Sequence, residues 1–243
     1  MRAEFESIYH QLEDSHWWFI ARRDVIAGLL GDLPRDAWIV EIGCSGGRLL
    51  EHLRALGFKN FWGVDISKQA VAACASRGIR NVLLADGVYT GLKTAAFDVV
   101  IASDVLEHLE SEAAALHEWK RILKPGGRLI VFVPAHMFLW SEHDEVNEHK
   151  RRYAKKALLQ VIENNGLRPE WWSYWNCSLF FPITAVRWAM KLLPLRGGSG
   201  QQLKKGFPLA DRCLAMVLRA ENSLIAWRVR LPLGVSLLCL ARK

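Results

Sequence analysis

Val40-Glu-Ile-Gly-Cys-Ser-Gly-Gly47 carries an apolar run, Trp38-Ile-Val-Glu-Ile42, straight into glycines and on into a helix-like segment near 46–56. A buried strand that bends through glycine into a helix offers a ligand two things. Gly43 and Gly46 let the main chain come close, because no Cβ stands in the way. The first turn of the helix presents free N–H groups suited to a carboxylate or phosphate. Glu41 and Cys44 flank the bend. The dinucleotide pattern G-x-G-x-x-G is not met: position 45 is Ser, and Arg48 stands where a third glycine would let helix pack on strand. An NAD(P)-dependent oxidoreductase is therefore the weaker nucleotide-binding alternative.

Further strand-like runs follow at Phe61–Asp65, Asn81–Asp86, Phe97–Ala102 and Arg128–Val133, with helix-like segments at 67–76 and 111–123 between them. The second helix meets a stop at Leu123-Lys-Pro-Gly-Gly127. This alternation predicts βαβ units and a mostly parallel sheet. Asp65 closes one strand, where a carboxylate can accept both hydroxyls of a ribose, with Ile66 beside it. Asp86 closes the next and is placed for an adenine amino group, with Gly87 backbone beside the ring. A helix at Ala154–Asn165 and strands at Leu167–Trp175 and Val235–Leu240 complete the reading.

The ordered set Glu41-x-Gly43-x-x-Gly46, Asp65, Asp86-Gly87, Phe97-Asp-Val-Val-Ile-Ala-Ser-Asp-Val-Leu-Glu-His108 and Leu123-Lys-Pro-Gly-Gly-Arg-Leu129 resembles the class I S-adenosylmethionine-dependent methyltransferases, of the methyltransferase type 11 kind, over roughly 38–170. The resemblance implies an α/β fold: a Rossmann-like, doubly wound, seven-stranded sheet with its last strand antiparallel. It implies S-adenosyl-L-methionine as cofactor, with Gly43 and Gly46 at the methionine end, Asp65 at the ribose and Asp86 at the adenine. Ser103 and Asp104 are then expected beside the sulfonium and the acceptor. Ser15-His-Trp-Trp-Phe-Ile-Ala-Arg-Arg23 resembles a helix that precedes the sheet in a subset of these enzymes and covers the cofactor. Arg22 or Arg23 is expected to reach the methionine carboxylate and Trp18 to line the acceptor site; the alternative is a helix that packs Trp17 and Trp18 on the core.

Methyl transfer needs a base only when the acceptor must lose a proton. The candidates are His108, His136, His143 and His149, with His108, His143 and His149 taken as the catalytic set. Ser141–Tyr153 follows the fifth strand, at the sheet edge where ligands of open α/β folds bind. Its Asp144, Arg151, Arg152 and Tyr153 are expected to hold the acceptor, the arginines gripping an anion. A divalent metal and a solvated polar loop are competing readings. His143-x5-His149 is no standard zinc spacing, and no metal is expected.

The organisation expected is an N-terminal helical cover over 1–30, a methyltransferase core over 31–175, a basic aromatic helical insertion over 176–231 and a final core strand over 232–243. The chain has 243 residues, 51% of them hydrophobic, and a net charge of +7 concentrated after residue 133. That excess favours anionic partners. The insertion reads as amphipathic helices at an anionic membrane surface, as a cap on the domain, or as a dimer contact. It lacks the apolar length to span a bilayer. No nucleic-acid-reading motif accompanies the charge, so none is expected as partner. Five scattered cysteines and an acidic, interrupted N-terminus favour a cytoplasmic protein, peripheral at most on the inner face of a membrane. The expected function is O- or N-methylation of a small-molecule or lipid-linked acceptor. The alternative is a noncatalytic module that binds the cofactor or a membrane.

Overall fold

The computed structural model of the protein describes residues 9, 10, 12–192 and 208–243. The Gly/Ser break at 196–200 and the lysines at 204 and 205 lie outside the described residues. The chain opens with α1 (Trp17–Leu29) and then alternates: β1 (Trp38–Ile42), α2 (Arg48–Ala55), β2 (Asn60–Asp65), α3 (Lys68–Ser76), β3 (Val82–Leu84), β4 (Phe97–Ser103), α4 (Glu112–Ile122) and β5 (Leu123–Pro134). After these come α5 (Glu142–Val146), α6 (Lys155–Asn164), β6 (Arg168–Trp175), α7 (Phe180–Leu192), α8 (Pro208–Ala226) and β7 (Ser236–Arg242).

The seven strands form one sheet in the order β3-β2-β1-β4-β5-β7-β6. The first five are parallel, and β7 runs antiparallel to both β5 and β6. The doubly wound α/β fold with an antiparallel last strand is thus as the sequence implies. Central strands covered on both faces must be apolar throughout, and β1 and β4 bury Ile39, Val40, Ile42, Val99, Val100, Ile101 and Ala102 almost completely. Caps set the helix starts. The Ser67 hydroxyl accepts from Gln69 N and Ala70 N ahead of α3, and Ser111 does the same for Ala114 N ahead of α4.

Three segments differ from the sequence reading. The third strand is only Val82–Leu84, half-exposed at the sheet edge. Leu123-Lys-Pro-Gly-Gly127 lies inside the span of β5, where the pairing jumps from Phe97↔Leu123 to Val99↔Arg128 and the Pro/Gly residues are looped out. Part of the polar stretch after β5 is helical: α5 starts with a capping box between Ser141 and Asp144.

The chain passes from β1 outward through β2 and β3, then returns to β4 on the other side of β1. The crevice at the C-terminal ends of β1 and β4 is the switch point where such sheets bind ligands. Helix α1 closes one side of it. Helix α8 packs along α1, with Asn222 Nδ2 donating to Ala21 O at 2.8 Å and Arg219 pairing with Asp24 at 2.8 Å. Its Glu221 carboxylate accepts from Cys177 N and Ser178 N, and its Asn222 side chain from Trp175 Nε1, so α8 is stitched to the end of β6.

Candidate methyl-transfer site

A cavity of about 980 Å³ opens at the switch point. That is room for a nucleoside-sized ligand with a second molecule beside it. Its lining runs from the glycine bend through the ends of β2 and β4 to α5 and α7.

At the bend, Gly43 has φ +68°, and a Cβ there would lie 2.6 Å from Val105 Cγ2. Ser45 follows with φ +46°. The Asp65 carboxylate clamps this turn: Ser45 N donates to one oxygen at 2.8 Å and Ser67 N to the other at 2.9 Å. Asp65 lines the cavity, and an ionised carboxylate can accept about four hydrogen bonds. Ile66 is 72% exposed on the rim. Asp86 bends its own loop by accepting from Val88 N at 3.0 Å. Gly87 is held by Trp119 Nε1, which donates to its carbonyl at 2.9 Å, and has no room for a Cβ against Ile42.

Two buried carboxylates stand near the bend. Glu41 has one oxygen with no hydrogen-bond partner among the described residues, and burial, reinforced by Glu13, pushes its carboxyl well up. Glu13, from the segment ahead of α1, is also buried and is pushed up to about 7. Cys44 is buried beside them.

At the end of β4, Ser103 donates to Asp104 Oδ2 at 3.0 Å, and Asp104 adopts φ +57°. Such a left-handed aspartate is uncommon and clusters at functional sites. Arg22 faces it. The guanidinium pairs with Asp104 at 3.1 Å and donates to Ser236 Oγ at 2.8 Å. It also lies over the rings of Trp18, Phe132 and Trp175 at 4.2–4.4 Å. These contacts hold Arg22 at the strand ends, where it lines the cavity; the aromatic cage and Asp104 offset its burial. Arg23 donates to the carbonyl of Glu13 at 2.6 Å and also lines the cavity.

The far wall holds the histidines. Asp144 is fully buried; it takes His149 Nδ1 at 2.9 Å, Arg152 Nε at 2.8 Å and Ser141 N at 2.8 Å. Burial works to raise its carboxyl, but the bonds from His149 and Arg152 outweigh it and hold the group well below the usual carboxylate range. His108, His143, His149 and Arg152 all line the cavity. Burial pulls His143 down to about 3 and His108 to about 4, so both rings are neutral and weakly basic near pH 7.

Arg151 and Tyr153, expected in the acceptor site, lie apart from the cavity. Arg151 pairs with Glu112 at 2.7 Å, and Tyr153 is buried in the core against the end of β5. Alternation along the extended 151–153 backbone turns Arg152 inward and Arg151 away, which loop composition cannot reveal. His136 also stays outside the cavity and stacks on Tyr174. Sequence reasoning did not place α7 in the lining, where it contributes Ile183, Val186 and Met190 beside Arg187. It also missed Glu107, a buried carboxylate next to His108.

Residues 40–131 match the family model of the methyltransferase domain. An uncharacterised protein of Methanocaldococcus jannaschii, MJ1123, is 30% identical over 167 residues, covering 64% of this chain and 78% of that protein. The tRNA (carboxymethyluridine(34)-5-O)-methyltransferase alkbh8 of Xenopus tropicalis is 28% identical over 135 residues, 54% of this chain but only 20% of that much longer protein. Among solved structures, a geranyl diphosphate methyltransferase in complex with S-adenosylmethionine superposes with a TM-score of 0.62 at 14% identity, over 92% of this chain and 85% of that one. The sheet order, the glycine bend at its switch point and these likenesses agree: the chain belongs to the class I S-adenosylmethionine-dependent methyltransferases.

Proposed function

We propose that the protein transfers a methyl group from S-adenosylmethionine to an oxygen of an amphiphilic acceptor. The observation that carries this reading is the mixed lining of the cavity's far half. His108, His149 and Arg152 supply polar lining, and α7 supplies the apolar Ile183, Val186 and Met190 beside Arg187. An acceptor with a polar head and an apolar body matches both, which fits a lipid-linked or isoprenoid-like compound better than a wholly polar one.

The near half fits the cofactor. Asp65 suits ribose hydroxyls, and Asp86 with the Gly87 backbone suits an adenine edge. Glu41 and Glu13 offer acceptors for an ammonium group, and Glu41 Oε2 is buried with no donor among the described residues. The N-terminal amides of α2 suit the carboxylate. Arg22 serves instead as a positioning residue that fixes Asp104. When bound, the cofactor supplies an electrophilic methyl group on a sulfonium whose departing thioether is neutral. The protein's work is then mostly alignment and exclusion of water. Asp104 and Ser103 mark the border between the two halves. His149, oriented by Asp144, stands in the lining that faces the acceptor's oxygen.

A second reading concerns location. Phe181 and Trp188 of α7 and Leu209, Met216 and Trp227 in or just beyond α8 are exposed. No helix among the described residues is long and apolar enough to cross a membrane. These faces suit contact with an anionic lipid surface that delivers such an acceptor.

The test is incubation with S-adenosylmethionine labelled on the methyl group, in extracts divided into lipid, small-molecule and RNA fractions. Label is expected in the lipid or amphiphile fraction, on an oxygen. Label confined to RNA would overturn the acceptor reading in favour of a substrate like that of the tRNA-modifying relative.

A further inference from the structure

Glu107 lies in a short 3₁₀ turn, Leu106–His108, just beyond β4. It is fully buried, and neither carboxylate oxygen has a hydrogen-bond partner among the described residues. The two nearby guanidinium groups are committed elsewhere, Arg22 to Asp104 and Arg152 to Asp144. A buried carboxylate left without partners is costly, and proteins retain one where something binds it.

Two imidazoles converge on it. His108 is its neighbour in the chain, and His149 comes from the turn beyond α5. Their rings meet nearly at right angles, with centroids 4.7 Å apart. One ligating atom from each of Glu107, His108 and His149 falls within 4.8 Å of the others. Lys150 N donates to the Glu107 carbonyl at 2.9 Å, which ties the two segments together at this point. With His149 Nδ1 committed to Asp144, Nε2 is the ring atom left to ligate. A histidine whose second nitrogen bonds a buried carboxylate is the usual outer support of a metal-bound imidazole.

We propose that Glu107, His108 and His149 bind a divalent cation of the zinc or manganese class at the acceptor wall. Two imidazoles and one carboxylate suit borderline transition-metal ions, whereas magnesium prefers oxygen donors and water. Metal–ligand bonds of roughly 2.0–2.2 Å need these donors drawn together by about an ångström, within reach of side-chain rotation. Three protein ligands leave coordination positions open. His108 and His149 line the cavity, so those positions face it. The cation holds an oxygen of the acceptor there, a step that rests on the proposed acceptor reading; cation binding itself does not. The spacing His143-x5-His149 draws attention to the wrong pair, since the fold joins His149 to Glu107 and His108 instead.

The experiment uses the full chain, freed of metal by a chelator and titrated with Co²⁺ and with Mn²⁺. Visible absorption reads cobalt coordination, calorimetry reads affinity, and thermal melting confirms folding. One equivalent is expected to bind with the absorption of a nitrogen-ligated cobalt ion. Glu107→Gln and His149→Asn are each expected to weaken binding at least tenfold, and Asp144→Asn roughly tenfold through loss of support. His117→Ala, an exposed site in α4, is expected to leave it unchanged. Wild type that binds no cation, or folded variants that bind as wild type does, overturn the proposal. Nitrogen hyperfine coupling to Mn²⁺ bound to wild type decides the matter without any variant: its presence supports the site and its absence overturns it. S-adenosylhomocysteine affinity, measured on the same samples without metal, tests the cofactor reading separately.

Discussion

At the scale of single residues, the Asp65 carboxylate holds the glycine bend through Ser45 N and Ser67 N at the edge of the cavity. Gly43 and Asp65 stand out in the sequence because a backbone bend and a strand-end carboxylate are local demands, written at fixed spacing. Arg22 is set by residues far along the chain, Asp104 and Ser236 among them, and spacing is silent about such partners. The same holds for Glu107, whose importance rests on what fails to reach it. Asp65 both faces the cavity and clamps the bend. Asp65→Ala is therefore expected to cost about 1.5–3 kcal/mol, or roughly 10- to 100-fold in S-adenosylhomocysteine affinity by calorimetry. The histidine wall separates from its neighbours in the same way. Once an acceptor is in hand, His149→Ala is expected to lower turnover by about 10² while sparing cofactor affinity. Arg151→Ala, which removes a pair with Glu112 and donations to the Leu109 and Glu110 carbonyls but no cavity contact, is expected to leave turnover within about twofold. Equal losses in both variants would return Arg151 to the acceptor site.

At the scale of elements, strands with an apolar, buried run announced themselves, as β1 with Ile39, Val40 and Ile42 and β4 with Val99–Ala102 did. Short or polar elements did not. Helix α5 has no apolar stripe to read, and its start depends on the Ser141–Asp144 capping box. Helix α4 is anchored by a network that sequence does not suggest. Glu118 accepts from Thr90 N at 2.9 Å and from Arg121 Nε at 2.7 Å. Burial alone would raise the Glu118 carboxyl, yet the bonds from Arg121 and Thr90 bring it down to about 2. A carboxyl depressed in the folded state stabilises the fold fully above its unfolded value, near 4.5, and loses that contribution as pH falls toward 2. The melting temperature is thus expected to drop across that window. Glu118→Gln is expected to start lower at pH 7 and to fall less on acidification. A variant with the same acid slope as wild type removes Glu118 from the account.

At the scale of the whole molecule, the C-terminal helices were found in the sequence, but their attachment was not. Both faces of α8 carry apolar residues, so composition cannot say which one packs. The structure buries Leu218 and Ile225 and exposes Met216 and Trp227. Removing the helices would therefore uncover α1 and the end of β6. A cleaner probe of the lipid-surface reading is polar substitution on the exposed side. The triple variant Phe181→Ser, Trp188→Ser and Trp227→Ser is expected to lose binding to anionic vesicles in flotation while its melting temperature stays within a few degrees. Wild type that never floats with vesicles ends that reading. Arg22 carries one last implication. It rides on α1 yet plants its charge at the tips of β4 and β7, so the reaction chamber is finished only while that helix is seated. Unseating α1 would draw the guanidinium off Phe132, Trp175 and Asp104, while Trp18, on the same helix, would travel with it.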